Sequence, residues 1–213
     1  ADFDGDGNLD FVRANFGGDS FSVRLGNGDG TFGPVNTTAL ADGPRFVAVG
    51  LFNADAIPDL AIAMYNEDEV RILLGDGDGT FILAPDVPVG DLPRSIALAD
   101  FNGDGELDMA VANEGNDNVS IFTGDGDGTF TAATPATVTV GDQPFSVVVG
   151  FFNADADPDL AVANANNDDV SILLGAAGAT FTAGADVPVG DEPRSVTVGD
   201  FNNHRKQNIA TAN

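Results

Sequence analysis

The stretch Asp100-Phe101-Asn102-Gly103-Asp104-Gly105-Glu106-Leu107-Asp108 sets oxygen-bearing side chains at 100, 102, 104 and 108, nearly every second residue. Gly103 and Gly105 free the backbone to curl, so these oxygens converge on one point. Calcium takes six to eight oxygens from carboxylates, amides and main-chain carbonyls, and an alternating Asp/Asn run with glycine at the sixth position supplies most of that shell from one short segment. The main-chain carbonyl of Glu106 fills a further place.

The opening of this loop matches the first half of an EF-hand, which closes its shell with Glu at position twelve between two helices. Position twelve here is Val111, inside the apolar run Met109-Ala110-Val111-Ala112. The last carboxylate is instead Asp108, leading straight into a predicted strand. Related stretches recur along the chain and differ in their donors. The first offers Asp2, Asp4, Asp6, the carbonyl of Asn8, and Asp10; the third offers Asp100, Asn102, Asp104, the carbonyl of Glu106, and Asp108. In the second, Leu51 and Ala56 replace the first ligand and the glycine, leaving Asn53, Asp55 and Asp59 as a weaker set. The fourth likewise has Phe151 and Ala156, leaving Asn153, Asp155 and Asp159 with Asp157 nearby. The fifth, Asp200 to Asn208, has lost most acids and gained Arg205 and Lys206, and no ion is expected there.

The elements that position these loops repeat with them. Phe3, Phe52, Phe101, Phe152 and Phe201 fall in register at spacings of 49, 49, 51 and 49 residues, a period that marks a propeller or an array. Each unit reads as a Val/Ile/Leu-rich run, the cation loop, a second run, a polar turn and a third run such as Asn118 to Phe122. A Gly-Asp-Gly-Asp-Gly-Thr-Phe turn and a fourth, less regular run complete it. Four short alternating strands per period predict an all-β protein, a β-propeller of four-stranded antiparallel blades. About four and a half blades are expected, at 1–44, 45–93, 94–144, 145–193 and a partial unit 194–213. Odd and even units differ: the even pair shares Asp86-Val87-Pro88-Val89-Gly90-Asp91 with Asp186-Val187-Pro188-Val189-Gly190-Asp191.

The chain resembles the FG-GAP/VCBS repeats of bacterial surface proteins. The resemblance rests on Asp-Phe-Asn-Gly-Asp-Gly, Asp-(Leu/Met)-Ala-Val-Ala-Asn, Val-Ser-Ile-Leu-Leu-Gly and Gly-Asp-Gly-Thr-Phe, and it covers nearly the whole chain. Such repeats are similar to the calcium-binding blades of the integrin α-chain propeller. The resemblance implies calcium between the first and second strands of a blade, and adhesive or carbohydrate-associated roles at the cell surface or outside the cell.

Composition narrows the remaining classes. The 213 residues carry 34 acidic and 8 basic side chains, a net charge of −26 that repels nucleic acid and anionic membranes. With Cys 0, thiol catalysis, disulfides and zinc-thiolate sites fall away together. No run reaches the length of a membrane span. His204, the only histidine, reads as a surface side chain, and no nucleophile elbow or phosphate loop is present, so no enzyme activity is expected. Trp 0 and Tyr 1 leave few rings to stack on sugars. The Gly-Asp turns at 75–81 and 124–130, with 26–32, read as hairpin turns, since 175–181 keeps their shape without acids. The expected function is therefore a calcium-binding extracellular module for adhesion or protein interaction, its partners another protein, neighbouring copies or repeats, or extracellular polysaccharide. The alternative is the non-catalytic scaffold of a larger polysaccharide-acting enzyme. Starting at Ala1 rather than Met and holding an odd set of strands, the chain is expected to be a segment of a longer propeller of roughly six to eight blades.

Overall fold

The computed structural model describes residues 1–204 and 206–213. Strands β1 (Phe11–Asn15), β2 (Ser20–Arg24) and β3 (Asn36–Ala39) form the first sheet, with a single 3-10 turn at Phe16–Gly18. The second sheet holds β4 (Pro44–Gly50), β5 (Asp59–Met64), β6 (Glu69–Gly75) and β7 (Phe81–Leu83), with β8 (Val87–Pro88) pairing back onto β6. The third holds β9 (Pro93–Ala99), β10 (Asp108–Asn113), β11 (Asn118–Gly124) and β12 (Phe130–Thr139). The fourth repeats the second, with β13 (Pro144–Gly150), β14 (Asp159–Asn164), β15 (Asp169–Ala176), β16 (Thr180–Ala183) and β17 (Val187–Pro188). A two-stranded sheet of β18 (Ser195–Gly199) and β19 (Asn208–Ala212) follows. Every pairing is antiparallel, no α-helix occurs among the described residues, and the sheets are propeller-like blades.

The fourth strand is where the blades depart from the plain four-strand reading. In even blades it is broken into two short pieces, β7 and β8 or β16 and β17, on the same partner strand. Pro85 and Pro88 fall at this break in the second blade, and proline cannot donate to a ladder. In the third blade β12 is continuous over ten residues, with a register shift against β11 between Ser120 and Phe122.

Burial explains the second strand of blades two, three and four. Leu60 to Met64, Met109 to Ala112 and Leu160 to Ala163 are buried on both faces, so these strands read as unbroken apolar runs. Large and small side chains still alternate across them. Leu60, Ile62 and Met64 pack with Phe3, Phe21 and Val23 of the first blade, while Ala61 and Ala63 receive Ile96, Met109 and Val111 of the third. The same offset recurs one junction on, where Ala110 and Ala112 receive Leu160 and Val162. Sheets packed about 10 Å apart fill without voids when a large face meets a small one. Each such Leu or Ile contributes about 1.5–3 kcal/mol by leaving water.

At the end of the inner strands away from the loops, Arg94 is held between rings. It pairs with Glu114, which also accepts from the Tyr65 hydroxyl at 2.8 Å, and its guanidinium lies 3.7 Å over Phe145 and 5.1 Å over Tyr65. This cluster joins blades two, three and four by residues at equivalent blade positions.

Candidate metal-binding loops

Loops two, three and four each join the first and second strands of a blade, loop one leads directly into β1, and their local folding follows from short side chains bonding nearby backbone. In loop one, Asp2 accepts from the amides of Gly5 and Gly7, both at 2.9 Å, and Asp6 accepts from the Asn8 amide at 2.7 Å. Loop three does the same: Asp100 accepts from Gly103 at 2.7 Å and Gly105 at 2.9 Å, and Asp104 from the Glu106 amide at 2.8 Å. The paired glycines sit at φ of 72° and 87° in loop one and 81° and 96° in loop three, a region that favours glycine. In loop two only Ala56 takes such an angle, and in loop four Ala156 does not.

Asp2, Asp4 and Asp10 bring carboxylate oxygens within 4.8 Å of one another, the only such acidic group among the described residues. None of the three has a cationic partner among the described residues. Desolvation first, then the charges of Asp6, Asp10 and Asp2, hold the Asp4 carboxyl above its ordinary value. Carboxylates converging without a counter-charge are the donor set a hard divalent cation requires, so the residues of loop one fit calcium. Asp6 is not part of that group, and its second oxygen accepts from the Asn8 side chain at 2.8 Å. In loop three Asn102 takes the place of Asp4 and bonds Asp104 at 2.7 Å; backbone bonds to Glu106 and the Asn102 amide hold Asp104 below its ordinary value. The even loops keep the shorter-range bonds: the Asn53 side chain donates to Asp55 at 2.8 Å and accepts from its amide at 3.0 Å, Asn153 and Asp155 do the same at 2.7 and 2.9 Å, and the amides of Ile57 and Asp157 donate to Asp55 and Asp155. Leu51 and Phe151 stand exposed where the first ligand would be. In the fifth loop His204 is exposed and donates its amide to Asp200 and Asn202, while Arg205 lies outside the described residues.

The ninth-position acids do something their spacing did not announce. Asp10, Asp59, Asp108 and Asp159 are buried, and each accepts from two backbone amides: the loop phenylalanine and the glycine closing the third strand. The bonds are 2.6 and 2.8 Å for Asp10, 2.7 and 2.9 Å for Asp59, 2.7 and 3.0 Å for Asp108, and 2.6 and 2.8 Å for Asp159. Burial raises Asp59 and Asp108 above their ordinary values, against the lowering pull of those same amides. They hold this place in even loops and odd loops alike, so the position is a junction as well as a prospective ligand.

The loop phenylalanine carries the junction into the next blade. Its carbonyl accepts from the following hairpin: Phe3 from Gly79 at 3.0 Å, Phe52 from Gly128 at 2.7 Å and Phe101 from Ala179 at 3.2 Å. Its ring meets the hairpin phenylalanine edge-on, with centroids 5.5 Å apart for Phe3–Phe81 and 5.3 Å for Phe52–Phe130 and Phe101–Phe181. Hairpin, aspartate, phenylalanine and next hairpin thus form a belt along this face. The hairpin acids face inward to their own turns: Asp29, Asp78 and Asp127 accept from Thr31, Thr80 and Thr129, whose side-chain and backbone bonds lower them.

The repeats match the family described as FG-GAP-like repeat, over residues 52–111 and again over 100–162, together more than half of the chain. No curated protein matches. Among solved structures, a protein from Lactobacillus plantarum superposes with a TM-score of 0.69 at 18% identity, over 87% of this chain and 56% of that one. BBS1N, crystallised in complex with ARL6DN and soaked with lead, gives 0.61 at 14% identity over 91% of this chain and 56% of its own. A functionally unknown protein from Desulfotomaculum acetoxidans gives 0.50 at 11% identity, over 90% and 69% of the two chains. The chain thus spans little more than half the length of the first two, and the likeness is one of fold.

Proposed function

From the premise that this chain belongs to the FG-GAP-like repeat family, we propose that it is a calcium-binding propeller module for protein interaction or adhesion outside the cell. The observation that carries this reading is the convergence of Asp2, Asp4 and Asp10 to within 4.8 Å with no cationic partner among the described residues. Calcium would be held there with carbonyl oxygens of the loop, and would supply charge neutralisation and rigidity rather than chemistry on a substrate. Loop three is the second expected site, one carboxylate poorer. A protein of net charge −26 gathers cations at its surface, and dissociation constants of about 10⁻⁴–10⁻³ M suit modules bathed in extracellular calcium. A binding role rather than a catalytic one fits the acids, because those at repeated positions are engaged in loop folding or junction bonds.

Isothermal titration of the chelator-stripped protein with calcium chloride tests this. Two binding events are expected, reduced to one by Asp4→Ala or by Asp104→Ala, with magnesium much weaker. Absence of saturable calcium heat in the intact protein would refute the reading.

A further inference from the structure

We propose that calcium acts beyond its own loops by locking particular blade junctions: blade one to two through Phe3, and three to four through Phe101, while the junction at Phe52 is indifferent to the ion. This rests on the calcium reading above and adds to it which parts of the fold the ion controls.

The geometry follows each phenylalanine peptide outward. Phe3 sits between Asp2 and Asp4, its amide donates to Asp10 at 2.6 Å, and its carbonyl accepts from Gly79 of the next blade at 3.0 Å. A cation drawing Asp2, Asp4 and Asp10 together grips this peptide from both chain neighbours and from the acceptor of its own amide. The interblade bond and the Phe3–Phe81 contact then hang from a fixed point. Phe101 is placed alike, between Asp100 and Asn102, with Asp108 below it and Ala179 beyond at 3.2 Å. Phe52 has the same belt, to Asp59 at 2.7 Å and Gly128 at 2.7 Å, but its preceding neighbour is the exposed Leu51. Its peptide is therefore held by packing and by Asp59 alone. The sequence alternates ion-competent and ion-deficient loops, so the controlled junctions alternate as well.

Gly79, Gly128 and Ala179 are matched reporters, since each amide spans one junction and exchanges when that junction opens. Amide hydrogen exchange of the whole chain, read residue by residue by NMR in chelator and in saturating calcium, is the test. Protection of Gly79 and Ala179 should rise by about tenfold or more, within what a hundredfold excess of ligand over its dissociation constant can supply, while Gly128 stays within about twofold. Asp4→Ala should erase the response at Gly79 and leave that at Ala179; Asp104→Ala should do the reverse. If all three amides gain protection together, or if the two variants affect both reporters alike, calcium stabilises the molecule globally and the junction proposal is wrong even though binding stands. If titration shows no calcium binding at all, the functional reading itself has failed and this proposal with it.

Discussion

Asp59→Ala should destabilise the protein by about 3 kcal/mol with or without calcium, because the side chain closes two buried backbone donors. Asp59 is fully buried, and its oxygens accept from Phe52 at 2.7 Å and Gly75 at 2.9 Å, residues that are themselves buried. An amide stranded without a partner costs about 1–3 kcal/mol, so losing both acceptors costs about 2–6 kcal/mol. Against this stands the cost of burying the carboxylate, visible in its raised pKa, which alanine relieves and which brings the sum into the lower half of that range. In a protein of this size each kcal/mol moves the melting temperature about 2–4 °C, so a fall of about 6–12 °C is expected. The fifth loop supplies an internal comparison: Asn208 stands at the ninth position there, and the Phe201 amide reaches it only at 3.3 Å. Thermal and urea unfolding in chelator and in excess calcium would read the effect, with Asp55→Ala as control. Asp55 is exposed, and water replaces its bond to the Ile57 amide, so its removal should stay within about 0.5 kcal/mol. If Asp59→Ala costs no more than Asp55→Ala, or costs anything only in calcium, the junction role is wrong and the position serves as a ligand alone.

Saturating calcium should raise the melting temperature of the intact protein by about 5–10 °C over chelator, since an ion at a hundredfold excess stabilises by about 2.7 kcal/mol; identical melting curves would contradict it. Gly124→Ala should cost more than about 2 kcal/mol, because a Cβ there would meet the Leu107 carbonyl oxygen at 2.3 Å, whereas Gly103→Ala meets open space and should lose only the glycine preference of its φ of 81°. Urea midpoints of the two variants would order them. For Glu114, burial pushes the carboxyl up, but bonds from Arg94 and Tyr65 with the charges of Arg94 and Arg45 outweigh it and leave it below its ordinary value. A depressed carboxyl contributes stability above its unfolded value of about 4.5 and loses it as pH falls through the folded one. Glu114→Gln should therefore be less stable than the parent at pH 7, with the gap closing as pH falls below 4.5 and through the lowered folded value; a gap that does not change with pH would count against the ion pair.

Much of the fold was legible because a 49-residue period displays each strand several times, and the all-β, propeller-like sheets follow from it. The second strands show as unbroken runs, and Leu60, Ile62 and Met64 against Ala61 and Ala63 even carry the packing offset in plain sequence. The broken fourth strand was harder, since its pieces are two to four residues long and proline interrupts their pattern. At the loops, residue type and spacing brought out Asp2, Asp4 and Asp10 but could not separate a ligand from a junction at Asp59 or Asp159. Both uses want a carboxylate at the same place. The bonds from Gly79 to Phe3 and Gly128 to Phe52 are main chain to main chain and leave no side-chain signature. One trace was available: glycine closes the third strand at 26, 75, 124 and 175, where any Cβ would strike a carbonyl of the loop.

The large-against-small offset of the second strands gives the stack a polarity. The junctions of blade two with three and of blade three with four present bulky side chains on the face toward the preceding blade and alanines toward the following one, so a blade entering there back to front would set Leu against Leu or leave Ala facing Ala across a void. Near-identical repeats are prone to pair with the wrong neighbour while folding. Here the methyl groups of Ala61, Ala63, Ala110 and Ala112 reject inverted partners on shape, whatever their sequence similarity. A strand slipped by one residue is rejected for the same cause, because it would turn Ile62 and Met64 into space already filled by Met109 and Val111. Direction of assembly is thus written into side-chain size, independently of any ion.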